Sequence, residues 1–259
     1  MTTKQIRVKD VMAKPVTISK AAVITEALDK MLDEGIDPLI ALNNHVVAGI
    51  VSRKSIAEKL GAKQNAAISP SKIHVATAVE EDFTPVYPDQ DVNILVPLLQ
   101  RYKLVVVYDT EHRLIGQVGA GDLLRLYQPE ASLDEVMEKA VTIEAEERVV
   151  HLRRRMIDTG IIRFVVTASD QVAGMVTDTD VAIAMRKFRE GVDDKYQDNQ
   201  IRHLLVGDIM SAPLISVDRS ATIGAVVEIM LKKNISSVPV MEKGKISGIV
   251  TRDSLVKAL

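Results

Sequence analysis

The chain contains no cysteine and no tryptophan, and only 3% of its residues are aromatic. The missing cysteines exclude disulfides, thiol nucleophiles and cysteine-ligated zinc. The scarcity of aromatics leaves the core to Val, Ile, Leu, Met and Ala, which a hydrophobic content of 47% supplies amply. An excess of either charge is also missing. Thirty-three Lys and Arg against 35 Asp and Glu leave a net charge of −2, so there is no global pull toward nucleic acid or an anionic membrane. No apolar run approaches the roughly 20 residues of a membrane helix. The N-terminal MTTKQIRVKDVMAK lacks the apolar stretch of a signal peptide. A cytoplasmic protein is therefore expected. His45, His74, His112, His151 and His203 show no metal-ligand spacing. Gly116 to Gly121 is glycine-rich, but no Lys-Ser/Thr follows, so it is a poor phosphate loop. With no nucleophile elbow either, the sequence predicts neither an enzyme nor a required cofactor.

What the chain does have is one unit written four times. DVMAKPVTI is followed by a helical pattern and then GIVSRKS, Gly49 to Ser55. DEVMEKAVTI leads in the same way to GMVTDTD, Gly174 to Asp180, and GDIMSAPLISV leads to GIVTRDS, Gly248 to Ser254. A weaker copy, second in the chain, ends in GQVGAGD, Gly116 to Asp122. Each copy predicts a short Val/Ile segment and then a helix. Ile24, Ala27, Leu28, Met31 and Leu32, and likewise Ile223, Val226, Val227, Met230 and Leu231, fall on one helical stripe. Next come a strand (38–42, 104–108, 163–167, 237–241), a turn (43–44, 109–112, 169–170, 242–244) and a second strand starting at the anchor glycine. A closing helix follows near Lys54, Asp122, Asp180 and Asp253. The fold class is α/β (α+β): tandem small sheets, each with two packed helices. One such unit cannot cover its own apolar faces, so copies one and two are grouped as residues 1–127, and copies three and four as 128–259. Met12, Met137 and Met210 recur at equivalent positions and suit core gaps. Segments 60–72 and 128–132 are expected to be linkers. The polar stretch 189–203 fits either a disordered loop or an extra helix.

The VM-x-x-x-V-T opening and the Gly-apolar-apolar-Thr/Ser-x-x-Asp closing motif resemble those of the cystathionine beta-synthase (CBS) domain family, across nearly the whole chain. That resemblance implies two modules of paired repeats, each with pseudo-two-fold symmetry and two clefts. It also implies an adenosine-containing ligand: AMP, ADP, ATP or S-adenosylmethionine. The closing motif suits such a ligand on chemical grounds as well. Unpaired N–H groups at a helix start favour an anionic oxygen, a Thr or Ser hydroxyl donates to phosphate, and a carboxylate accepts the paired hydroxyls of a ribose.

The third copy has every part. Gly174 allows close approach, Thr177 is the phosphate-side hydroxyl and Asp180 the ribose carboxylate, although Asp180 also suits a helix cap. By resemblance Thr142 and Ile143 line the base edge, and Ile162, Phe164 and Val165 wall the cleft. Arg163 is placed to meet phosphate, and Arg252 is brought toward it by pseudo-symmetry. The fourth copy contributes Ser216, Val238, Pro239 and Thr251, with Ser254 where the carboxylate belongs. Its Asp253, one residue early, either turns to the ribose or caps the helix. The first copy has Ser52 and Ser55 without a carboxylate. The second keeps Asp122 but has Gly119 for the hydroxyl and Pro85 in its opening, which lacks an N–H. Glu80 and Glu81 are read as solvated, and so are Arg153, Arg154 and Arg155. The expected protein is a stand-alone ligand sensor acting through a homodimer or an unidentified protein target. A scaffold with empty clefts is the alternative.

Overall fold

The computed structural model describes residues 6–61, 69–191 and 203–259. Residues 62–68 and 192–202 lie outside that description, and with them most of the expected linker at 60–72 and of the polar insert at 189–203. The linker at 128–132 is irregular chain between helices.

The first repeat runs α1 (Val8–Val11), β1 (Thr17–Ser19), α2 (Ile24–Asp33), β2 (Leu39–Asn43), β3 (Val46–Val51) and α3 (Arg53–Gly61). The second runs β4 (Pro85–Val86), α4 (Leu95–Arg101), β5 (Leu104–Tyr108), β6 (Leu114–Gly119) and α5 (Ala120–Leu124). The third runs α6 (Leu133–Val136), β7 (Thr142–Glu144), α7 (Val149–Thr159), β8 (Arg163–Ala168), β9 (Gln171–Thr177) and α8 (Asp178–Gly191). The fourth runs α9 (Val206–Ile209), β10 (Val217–Asp218), α10 (Ile223–Lys232), β11 (Ser237–Glu242), β12 (Lys245–Thr251) and α11 (Arg252–Lys257).

Each repeat forms one three-stranded sheet in chain order. Its first two strands are parallel and joined through a helix, as parallel pairing requires; the last two form an antiparallel hairpin. The predicted apolar stripe is the buried one. Ile24, Ala27 and Met31 of α2 and Ile223, Val226, Val227 and Met230 of α10 lie in the core, while Leu28, Leu32 and Leu231 are half-buried. Three of the hairpins turn on two residues of positive φ: Asn44 and His45, Ser169 and Asp170, Lys243 and Gly244. The first turn thus lies one residue later than predicted.

The anchor glycines do not begin the second strands. Those strands start earlier, at Val46, Leu114, Gln171 and Lys245, and each glycine sits inside its strand opposite a register shift in the neighbour. The reason is the neighbouring repeat. A Cβ on Gly174 would lie 2.6 Å from the Ser211 carbonyl oxygen and 3.1 Å from Met210 Sδ. A Cβ on Gly116 would meet Met12 Sδ at 2.8 Å, one on Gly248 would collide with Met137, and one on Gly49 would collide with Val79 and the Glu80 backbone. The glycine admits the opening segment of another repeat, and the recurrent methionines fill the space over it.

That crossing pairs repeat one with two and repeat three with four. Single antiparallel bridges join Ala13 to Gln117, Ile50 to Glu80, Glu138 to Ile249 and Met175 to Ser211. The opening segments complete each other's cores: Ile73 and Val75 pack with Ile24 and Met31, and Val206 packs with Val149 and Phe164. The sheet faces of repeats one and two meet through Ile40, Ile50, Leu104 and Val106. The largest core joins repeats two and four, with Leu95, Val105 and Leu123 continuous with Val226, Val238 and Leu255. Helices α2 and α3 of repeat one correspondingly pack on α8 and α7 of repeat three.

Candidate ligand-binding clefts

Each closing motif stands where a strand runs into a helix, beside the opening segment of the paired repeat. In repeat three the Asp180 carboxylate accepts from Thr177 N (2.7 Å) and Thr177 Oγ1 (2.6 Å) through one oxygen. Its other oxygen accepts from Ser211 Oγ at 2.7 Å. Asp180 therefore caps α8 and also clasps repeat three to repeat four. Ser211 has no signal in the local sequence; it joins the site because Met175 and Ser211 exchange backbone hydrogen bonds of 3.0 and 2.8 Å.

The other motifs cap in related ways. Thr251 and Ser254 bond reciprocally, Thr251 N to Ser254 Oγ at 3.0 Å and Ser254 N to Thr251 Oγ1 at 2.9 Å, and both are buried. Ser254 makes that cap, which leaves Asp253 exposed in the first turn of α11. Ser52 and Ser55 repeat the arrangement at 3.1 Å each way. In repeat two Asp122 accepts from Gly119 N at 3.0 Å and pairs with Arg125 at 3.5 Å. Glu80 is not simply solvated: Ser52 Oγ donates to its Oε1 at 2.9 Å.

Several expected cleft residues point elsewhere. Side chains alternate along a strand, so 162–165 cannot all face one cleft. Phe164 and Ile143 lie in the helix-side core of repeat three, and Val238 lies in that of repeat four. Alternation turns the buried Val165 and Pro239 to the opposite faces of β8 and β11. Ile162 contributes its carbonyl, which accepts from Asp178 N at 3.1 Å. Thr142 is exposed, with its carbonyl 3.4 Å from Arg155 Nη2, and Ser216 is half-buried just before β10. The opening segment beside Thr177 and Asp180 belongs to repeat four, whereas Glu138 of repeat three lies beside the Thr251 motif. The predicted grouping of Thr142 and Ile143 with Asp180 is replaced by this crossed arrangement.

The arginines divide sharply. Arg163 Nη2 donates to Ser236 Oγ at 3.3 Å. Arg252 turns not toward Thr177 but across to repeat two, where its Nη1 would lie 3.1 Å from a Cβ on Gly121. Its Nη2 donates to the Met230 carbonyl at 3.0 Å, and its buried Nε has no hydrogen-bond partner. Burial lowers its pKa; Asp122 works against that shift, and Arg125 and Arg163 add to it. Arg53 holds the same motif position in repeat one, and its surroundings are the reverse. Its Nε donates to Asp178 of repeat three at 2.9 Å, and its Nη2 lies 3.4 Å from Asp37. The three side chains are only 15–17% exposed. Burial pushes the Asp37 carboxyl above its ordinary value against the pull of Arg53. Burial alone would lower the Arg53 pKa, but the two carboxylates raise it. Both values rise because one cation serves two anions in a nearly buried site: the cation is held charged, while Asp37 is held toward its neutral form. Arg153 is half-buried rather than on a fully solvated face, and burial lowers its pKa as well. Arg154 pairs with Asp158 at 2.7 Å, and Arg155 lies over the Phe164 ring at 4.9 Å.

Among the described residues no helix is long and apolar enough to cross a membrane, and no cluster of three or more His, Asp or Glu could hold a metal ion.

Comparison with known proteins gives a consistent picture. The sequence pattern of the CBS domain matches residues 8–62, 75–129, 133–187 and 206–259. The uncharacterized protein MJ1225 of Methanocaldococcus jannaschii is 21% identical over 94% of this chain and 95% of its own. MJ1404 of the same organism is 24% identical over 96% of this chain, which spans 61% of that longer relative. The crystal structure of MJ1225, proposed as an archaeal homologue of γ-AMPK, superposes with a TM-score of 0.82 over 97% of this chain and 99% of its own, at 21% identity. An uncharacterized conserved protein from Pyrococcus horikoshii superposes at 0.63, with 20% identity over 97% and 99% of the two chains.

Proposed function

The chain belongs to the CBS domain family, and from that premise we propose that it is a non-catalytic regulatory sensor for an adenosine-containing ligand. AMP, ADP or ATP fits best, with S-adenosylmethionine as the further candidate. The working units are taken as residues 1–127 and 128–259, and the primary cleft is the one bounded by Thr177, Asp180 and Ser211. Likeness to a protein proposed as a γ-AMPK homologue supports a regulatory reading.

The observation that carries the proposal is the clasp of Ser211 on Asp180. A ribose diol offers the carboxylate the same kind of donor as the Ser211 hydroxyl. A ligand bound there replaces a bond between repeats three and four with a bond to itself. Binding then favours the arrangement in which the clasp is open, which is the differential affinity a sensor needs. The Thr177 hydroxyl and the start of α8 face the phosphate side, and Arg163 adds positive charge from β8. The signal passes to a second copy of the chain or to a protein target.

The test is a thermal-shift panel with AMP, ADP, ATP and S-adenosylmethionine on the wild type and on Asp180→Ala. At 100 times its dissociation constant, a ligand stabilises the native state by about 2.7 kcal/mol. The expected result is a dose-dependent rise with an adenine nucleotide that Asp180→Ala reduces. An equal rise in the variant removes Asp180 from the site. The scaffold reading draws on one observation: both Asp180 oxygens already have partners within the chain. No rise with any of the four compounds favours it.

A further inference from the structure

We infer that two of the four clefts receive their ribose-binding carboxylate from the paired repeat, as Glu80 for the repeat-one cleft and Glu138 for the repeat-four cleft. This inference rests on the nucleotide-sensor reading above and extends it to clefts whose closing motifs have serine, not an acid, at the last position.

The argument starts from register. The residue after each anchor glycine exchanges two backbone hydrogen bonds with one residue of the crossing segment. The pairs are Ile50 with Glu80 (2.9 and 2.8 Å), Gln117 with Ala13 (3.0 and 2.9 Å), Met175 with Ser211 (3.0 and 2.8 Å) and Ile249 with Glu138 (2.9 and 2.8 Å). Ala13, Glu80, Glu138 and Ser211 therefore occupy one structural position. Two of them show that a side chain there reaches the closing motif: Ser211 Oγ bonds Asp180 at 2.7 Å, and Glu80 Oε1 accepts from Ser52 at 2.9 Å.

The residue types at the two positions are complementary. Where the closing motif has its own carboxylate, Asp122 or Asp180, the crossing residue is Ala13 or Ser211. Where the closing motif ends in Ser55 or Ser254, the crossing residue is Glu80 or Glu138. Every cleft thus carries one carboxylate between the two positions. Two would repel each other across the cleft, and none would leave a diol without an anionic acceptor. In the repeat-one cleft the donor and acceptor have changed sides relative to repeat three: the hydroxyl is on the closing motif and the carboxylate on the crossing segment. Both glutamates are exposed, so a ligand can reach them, and each closing motif retains its hydroxyl, Ser52 or Thr251.

The experiment measures AMP and 2′-deoxy-AMP binding by equilibrium dialysis on the full chain. It is done in an Asp122→Asn, Asp180→Asn background that silences the other two carboxylates while Asn retains the caps. Glu80→Gln and Glu138→Gln are then added singly and together, with thermal melting as the check on folding. AMP binding should persist in the background protein. Each glutamine should weaken one class of site about 10- to 100-fold, the span expected for hydrogen bonds to a charged group. The preference for AMP over 2′-deoxy-AMP should vanish with the pair of changes. Loss of all AMP binding in the background protein, or unchanged binding in the folded double-glutamine protein, overturns this inference and leaves the repeat-three cleft intact. Failure of the wild type to bind AMP, ADP or ATP overturns the sensor reading and this inference with it.

Discussion

Arg53 and Arg252 follow the hydroxyl of the same motif, yet their removal should have opposite consequences. Arg53 is the only cation bonded to Asp37 and Asp178 among the pairs described, and it joins repeat one to repeat three. Arg53→Met leaves two nearly buried carboxylates facing each other. Removing one partner of a buried ion pair costs about 3–5 kcal/mol; the 15–17% exposure of these side chains admits some water and brings the expectation to about 2–4 kcal/mol. For a chain of this size that is a fall in Tm of roughly 5–15 °C. Arg252 faces Gly121, and the motif position that Asp178 holds in repeat three is an alanine, Ala120, in repeat two. Arg252→Met forfeits one bond to the Met230 carbonyl but removes an unpaired buried Nε. Its net effect should stay within about 1 kcal/mol. Differential scanning calorimetry and urea unfolding of both variants measure the contrast. Adding Asp37→Asn and Asp178→Asn to Arg53→Met should recover most of the loss, since a fully neutralised site costs far less than a broken one. Equal effects of the two methionines, or no recovery in the triple variant, would refute the reasoning.

Three further outcomes follow from the same geometry. Gly174→Ala forces the Ser211 backbone away and should cost about 1–3 kcal/mol in urea unfolding, whereas the same change at Gly244, with nothing within 4 Å, should show only the positive-φ penalty of about 1 kcal/mol. Asp37, its pKa raised by burial, holds its proton more tightly folded than unfolded; the stability it contributes is full below about pH 4 and lost as pH rises through its folded value. Asp37→Asn should therefore lose less stability than the wild type between pH 4 and 7 in parallel melts, and identical slopes would count against it. Ser211→Ala should lower stability by under about 1 kcal/mol yet tighten nucleotide binding, because it removes a competitor for Asp180; weaker binding by calorimetry would show that Ser211 holds ligand directly.

The four-fold repeat and its helical stripes were legible because both are periodic along the chain, and Ile24, Ala27 and Met31 lie where their spacing puts them. The anchor glycines were legible as places of close approach, but what approaches is another repeat, and Met12 and Met137 over Gly116 and Gly248 lie more than a hundred residues away. Asp180 was legible from its motif, while Ser211 and Glu80 were not, because they meet the motif through a backbone bridge between repeats. Phe164 was assigned to the cleft against the alternation of its own strand, which sends it with Val166 to the helix side. Arg53 and Arg252 look alike in sequence; what separates them is the partner, the Asp178 carboxylate for Arg53 and the Gly121 backbone for Arg252, which only the packing of repeat one on three and of two on four reveals.

The central claim is that the chain binds an adenine nucleotide through the Asp180 cleft. Titration calorimetry of the wild type and of Asp180→Asn with AMP, ADP and ATP tests it most directly. The account predicts saturable binding of at least one nucleotide by the wild type, with one class of site weakened about 10- to 100-fold in a variant that folds normally. Saturable binding of equal strength in the two proteins, or no binding by the wild type at millimolar nucleotide, would contradict it.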